Sequence, residues 1–251
     1  MTNISRKIRK GIRNLPNIVK GFNIYVNRDK LNLIDYTFCT VNPQAKSFID
    51  LGGVWKVNAA YTVYTLQNFK VDQGYIVDTD YNLKVNKRLA AFPNLIKLTG
   101  DFGNNEIIGQ INDVDVIFLF DVLLHQVNPH WDEILSMYAR LSKCIVIYNQ
   151  QYVASDKTIR LTDLPLEEYK VIAPFRKDDL YEQIYNNMDT IHPEYKKPWK
   201  DIHNIWQWGI TDTDLRQKMN SIGFKEVFYE NYGKFSSSRF FEDHAFIFIK
   251  K

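Results

Sequence analysis

The sequence predicts an α/β fold: a mostly parallel, seven-stranded sheet with helices on both faces and a C-terminal antiparallel hairpin. Three observations carry this. From Ser47 onward, short apolar runs alternate with segments of helix length, the pattern of successive βαβ units. Several of those apolar runs end directly in Gly or Asp. Near the carboxyl end, a capped helix is followed by two more apolar runs around a turn-rich stretch.

The elements follow in order. Strands are expected at Ser47 to Leu51, Tyr75 to Thr79, Leu95 to Leu98, Val114 to Phe120 and Lys143 to Tyr148, with helices between them. Trp131, Ile134, Leu135, Tyr138 and Leu141 keep the spacing of a helix with one buried side. Thr211 is a helix cap before Leu215, Met219 and Ile222, and Gly223 ends that helix. Lys225 to Tyr229 and Ala245 to Ile249 then form the hairpin, separated by Asn231 to Ser238. Before the sheet, Ile4, Ile8 and Ile12 recur every four residues among Arg6, Lys7, Arg9, Lys10 and Arg13, the pattern of a short amphipathic helix with a basic outer face. The organisation expected is a single domain over 1–251: an N-terminal helical cap (1–45), a core (46–150), a lid or binding insertion (151–205), and a C-terminal helix and hairpin (206–251).

Composition narrows the function classes. Hydrophobic residues make up 45% and charged residues 24%, the balance of a globular chain. No apolar run reaches the ~18 to 20 residues of a membrane span, and the first twenty residues lack a secretory signal's apolar stretch, so the expected location is the cytoplasm. Cys39 and Cys144 are too few for a disulfide framework and lack the paired spacing of a zinc site. No metal is expected. A net charge of +3, with no interleaving of basic and stacking aromatic residues, argues against a nucleic-acid partner. The composition is compatible with a homo-oligomer.

In open α/β sheets, ligands lie outside the carboxyl ends of the strands where strand order reverses, so the residues that close each strand are the candidates. The first strand closes in Asp50-Leu51-Gly52-Gly53-Val54-Trp55, an acid and two glycines that let a ligand approach the backbone, with amides beyond them that suit an anion. A tight strand-to-helix turn is the bland alternative, and for Trp55 core packing is the expected role. The second strand closes in Asp78-Thr79-Asp80-Tyr81-Asn82, where an acid suits a pair of sugar hydroxyls; Asp80 is preferred over Asp78. The third leads to Gly100-Asp101-Phe102-Gly103, a carboxylate that can accept an amino group beside a ring that can flank a base. The fourth leads to Asp121 and, one turn later, His125.

With these residues, Ser47 to Asn149 resembles the Rossmann-like core of class I S-adenosylmethionine-dependent methyltransferases, and Ile222-Gly223-Phe224 before a final hairpin is similar to that family's tail. The resemblance implies S-adenosylmethionine as cofactor. It places Asp50, Gly52 and Gly53 against the methionine part, Asp80 or Asp78 at the ribose, Asp101 and Phe102 at adenine, and Asp121 by the reacting methyl. Val54 departs from the pattern, standing where the family's second turn glycine usually falls. Methyl transfer to a hydroxyl needs a base, and His125 is the candidate, with His130, His192, His203 and His244 as alternatives. The expected activity is methylation of a hydroxyl, or secondarily an amine, on a small-molecule or sugar acceptor. A nucleic-acid methyltransferase and a noncatalytic cofactor-binding or interaction module of the same fold are the alternatives; a nicotinamide enzyme would want the fuller Gly-x-Gly-x-x-Gly fingerprint.

Overall fold

A computed structural model describes residues 26–174, 179–236 and 238–251. The expected basic amphipathic helix around Ile4, Ile8 and Ile12 lies outside the described residues. What is described of the amino-terminal region is helix α1 (Arg28–Tyr36), started by Asn27, whose side chain accepts from the Asp29 amide at 2.8 Å. Leu31, Leu33 and Ile34 face inward, and the helix widens over Thr37–Val41 before the sheet begins.

The sheet runs through β1 (Ser47–Leu51), β2 (Gln73–Asp78), β3 (Leu95–Thr99), β4 (Val116–Phe120) and β5 (Cys144–Tyr152). Helices α2 (Ala60–Asn68), α3 (Leu83–Leu89), α4 (Asn105–Ile108) and α5 (Trp131–Ala139) alternate with these strands. A short strand pair, β6 (Ile159–Arg160) and β7 (Trp208–Gly209), brackets helices α6 (Leu166–Ile172) and α7 (Leu180–Asn186). Helix α8 (Asp212–Ser221) and strands β8 (Phe224–Lys234) and β9 (Phe241–Lys250) complete the chain. The seven-stranded sheet has the order β3-β2-β1-β4-β5-β9-β8. It is mixed and mostly parallel, with the antiparallel hairpin at its edge, as the sequence predicts. Strand order reverses between β1 and β4, so the carboxyl ends of these two strands flank the switch point.

The described residues divide into two compact units: residues 26–120 with Arg140–Ile147 and Ile247–Lys250, and Asp121–Ala139 with Tyr148–Phe246 and Lys251. In the first, β1 pairs in parallel with both β2 and β4, with Phe48 opposite Gly74 on one side and Val116 on the other. Central parallel strands covered on both faces are largely apolar. Ile49, Ile76, Val77, Ile117, Phe118 and Leu119 are accordingly fully buried. Gly74 is needed there, since a Cβ would lie 3.0 Å from the Phe48 ring. The Asp115 carboxylate fixes the start of β1 by accepting from the amides of Lys46 and Ser47 at 2.7 and 2.9 Å.

The second unit takes in most of the segment expected as a lid or binding insertion (151–205). Tyr152, Leu161, Tyr169, Tyr181, Ile184, Ile202, Ile205 and Phe241 form a core of their own. Two polar contacts support it: Tyr169 donates to the Trp206 carbonyl at 3.0 Å, and Arg160 meets Asp201 at 2.6 Å. The Thr211 hydroxyl caps α8, accepting from the Asp214 amide, and Gly223 takes φ +87° just after it. Strands β5 and β8 run further than predicted, through Asn149-Gln150-Gln151 and Asn231-Tyr232-Gly233.

Candidate functional site

The glycine turn is built from its neighbours. Gly52 closes β1 with φ +71°, a conformation that only glycine adopts without strain, and its amide donates to the Val77 carbonyl at 2.8 Å. Gly53 stands directly against Asp50. A Cβ there would lie 2.6 Å from Cγ of Asp50 and closer still to one of its carboxylate oxygens, so the missing side chain leaves room for Asp50. Asp50 is buried (1% exposed) and accepts from the Thr62 hydroxyl at 2.6 Å. Burial pushes its carboxyl up to about 6, and the charge of Asp78 adds to this, while Thr62 and Lys30 pull the other way.

Asp78 is the last residue of β2, and its carboxylate faces the turn. One oxygen accepts from the amides of Val54 and Trp55 at 2.8 and 3.2 Å; the other accepts from Thr79 at 2.7 Å. The amides expected to suit a ligand's anionic group are thus already engaged by the protein's own carboxylate. Beyond them, Lys56, Asn58 and Ala59 take φ of 60°, 50° and 61°, non-glycine residues in the left-handed region over a stretch closed by Asn58 and Ala59 amides donating to Val54 and Gly53 carbonyls. Trp55 is 58% exposed, with the Lys56 ammonium 3.9 Å from its ring, so core packing is not its role.

Asp80 stands two residues past the end of β2 and is exposed. Tyr81 after it points back, its hydroxyl 2.9 Å from the Ile76 carbonyl and 3.1 Å from that of Leu98, bracing the ends of β2 and β3; Asn82 caps α3. Asp101 holds the turn after β3, one carboxylate oxygen accepting from the Gly103 amide at 2.9 Å, and Phe102 beside it is 8% exposed. Asp50, Gly52, Gly53 and Asp78 therefore lie at the ends of β1 and β2, Gly53 against Asp50 and Asp78 bonded to the turn that Gly52 opens. Asp80, Asp101 and Phe102 lie on the loops that continue from β2 and β3.

In the second unit, Asp121 follows β4 with φ +58°, and its amide donates to the Tyr148 carbonyl at 2.8 Å. The Gln150 side-chain amide donates to Asp121 and to Asp243, each at 2.9 Å, so one NH₂ group bridges two carboxylates. Neither Gln150 nor Asp243 was predictable from the strand-end rule, although the polar run at the end of β5 marks Gln150 in retrospect. His125 sits on a short helical turn, with Nδ1 2.6 Å from the Ile205 carbonyl. A carbonyl only accepts, so Nδ1 carries the proton and Nε2 is the basic nitrogen of the neutral ring. The other histidines make fold contacts. His130 packs on Trp208, His192 lies between Tyr195 and Trp199, His203 Nε2 meets the Val127 carbonyl, and His244 Nδ1 meets Asp212 at 2.8 Å. Among the described residues no group of His, Cys, Asp and Glu is arranged to hold a metal, and no helix is long and apolar enough to cross a membrane.

No family model and no curated protein matches the sequence. Solved structures do match the fold. The N-terminal domain of EvdMO1, in the presence of SAH and D-fucose, aligns with 100% of this chain and 98% of its own, at 14% identity and a TM-score of 0.56. Magnesium protoporphyrin IX methyltransferase (ChlM) from Synechocystis PCC 6803 with bound SAM aligns over 100% of this chain and 85% of its own, at 13% identity and a TM-score of 0.52. The 1,6-didemethyltoxoflavin-N1-methyltransferase of Burkholderia thailandensis, with its acceptor and S-adenosylhomocysteine bound, aligns over 88% and 78%, at 8% identity and a TM-score of 0.55. With the sheet order, these matches show that the chain has the fold of the class I S-adenosylmethionine-dependent methyltransferases.

Proposed function

We propose that the chain is an S-adenosylmethionine-dependent methyltransferase that methylates a hydroxyl, or secondarily an amine, of a small-molecule or sugar acceptor. The observation that carries the reading is the cluster at the ends of β1 and β2, where Asp78 is held against a turn opened by Gly52 beside the point at which strand order reverses. The donor chemistry there suits the cofactor. Asp78 and Asp80 offer carboxylate oxygens to ribose hydroxyls, Asp101 offers one to the adenine amino group, and Phe102 flanks the ring. Gly52 and Gly53, with Asp50 beneath them, shape the turn that meets the methionine part. When bound, S-adenosylmethionine supplies an electrophilic methyl group on a sulfonium.

The chain's own work is then alignment and proton removal. His125, its tautomer fixed by Ile205, takes the acceptor's hydroxyl proton on Nε2. Asp121, steadied by Gln150, lines the reacting centre. Residues 151–205 carry acceptor specificity. A small or sugar acceptor is supported by the neighbours, of which one was solved with D-fucose and another with a bound heterocycle. The test is incubation with cofactor labelled in its methyl group and a panel of sugars and small hydroxylated or amino compounds. Label appearing in one acceptor class supports the proposal. Label passing to RNA or DNA alone would replace it with the nucleic-acid reading, and binding without any transfer would leave the noncatalytic module.

A further inference from the structure

Helices α2 and α3, with Ala91 and Phe92 just after α3, line an open cavity of about 400 Å³. Its lining combines the apolar side chains of Val63, Ala91 and Phe92 and the amide of Gln67 with the cations Lys84, Lys87 and Arg88; no carboxylate lines it. The three cations stand at i, i+3 and i+4 on α3 and therefore share one helix face, where like charges repel. Lys87 and Arg88 lie in the last turn, where a positive charge suits the helix dipole. Lys84 does not, because it is the second residue of the helix, at the end where cations are disfavoured. Among the described residues neither Lys84 nor Lys87 has a carboxylate partner. Arg88 donates to the Asn58 carbonyl at 3.5 Å, a contact with the loop after β1. Three cations on one helix face beside apolar side chains match an anion with a greasy body, and the volume is in the range of small-molecule sites.

We propose that this cavity is a binding site for a phosphate monoester carried on a small apolar or aromatic group. The phosphate meets Lys84, Lys87 and Arg88, and the apolar group covers Phe92 and Val63. The test uses the full chain with 1-naphthyl phosphate as probe, followed by calorimetry and by backbone amide shifts in nuclear magnetic resonance. Inorganic phosphate and 1-naphthol serve as the two half-ligands. Expected are shifts centred on α2 and α3, weaker binding at high salt, and tighter binding than either half-ligand shows. The exposed pair of changes Lys84→Gln and Lys87→Gln should weaken the probe by about tenfold or more, because two of three charge-assisted contacts go. Shifts centred elsewhere, an affinity unchanged by the two substitutions, or inorganic phosphate binding as tightly as the probe would each overturn the assignment.

Discussion

Gly53→Ala gives the sharpest test of how the glycine turn is built. The added Cβ would lie 2.6 Å from Cγ of Asp50, where carbon atoms in contact normally stand at ~3.5 to 4.0 Å, so something must move by about 1 Å. Asp50 cannot swing into solvent. It is buried and tied to Thr62 at 2.6 Å, and Gly53 itself is tied through its carbonyl to the Ala59 amide. Overpacking a closed site costs ~1 to 3 kcal/mol, and a displaced buried hydrogen bond adds about 1 kcal/mol. Gly53→Ala should therefore cost ~2 to 4 kcal/mol, lowering the midpoint of thermal unfolding by roughly 4 to 16 °C for a chain of this size. The reasoning is specific to one partner, so it is checked by a double-mutant cycle in urea. With Asp50→Ala in place the clash is gone, and Gly53→Ala should cost less than about 1 kcal/mol, leaving a coupling above the ~0.5 kcal/mol at which independent sites add. An equal cost in both backgrounds would refute the account, since the glycine would then be needed for something other than Asp50.

Other predictions follow from the same geometry. The Asp50 carboxyl is raised from 3.8 to about 6, so the native chain binds an extra proton between those values; its contribution favours folding below them and is lost as pH rises through about 6. Asp50→Asn should remove a penalty of about 3 kcal/mol at neutral pH and flatten the stability difference over that window, as followed by urea midpoints across pH. Asp201→Ala strips Arg160 and Asn128 of a shared partner, and should cost ~2 to 4 kcal/mol, part of it recovered by adding Arg160→Met. If His125 is the base, His125→Gln should lower the rate of methyl transfer ~10²-fold or more while leaving affinity for S-adenosylhomocysteine unchanged; a loss of affinity with an unchanged rate would assign it to binding.

Much of the sheet was legible because buried parallel strands are largely apolar: β1 emerges at Ser47–Leu51 as read, with Asp50 its one buried charge, and β4 lies within two residues of its predicted bounds, as does the less buried β3. Legibility fails where polar side chains are buried. β5 continues through Asn149, Gln150 and Gln151, each nearly inaccessible, and no pattern of hydrophobicity marks a strand built of amides. The core of 151–205 was hidden for a related reason. Its helices are seven residues each, too brief for a period to show, and much of its buried mass is tyrosine, whose amphipathic side chain does not announce burial in the sequence. The candidate acids were readable because they close strands, which is a local property. What each acid touches was not: that Asp78 meets the amides of Val54 and Trp55, or that Gly53 makes room for Asp50, depends on side chains and backbone brought together by the sheet. Trp55 shows the converse, a large aromatic whose composition suggests burial but whose place on a left-handed stretch leaves it 58% exposed.

The central claim is that the ends of β1, β2 and β3 form an S-adenosylmethionine site, and calorimetric titration with S-adenosylhomocysteine tests it most directly, with NAD as the rival ligand and Asp78→Ala and Asp80→Ala as separate controls. The account predicts binding in the micromolar range, no comparable affinity for NAD, and a loss of at least about tenfold in one or both variants, as expected when a carboxylate no longer meets the ribose. Absent binding of S-adenosylhomocysteine by a folded chain, a preference for NAD, or an affinity indifferent to both aspartates would contradict it.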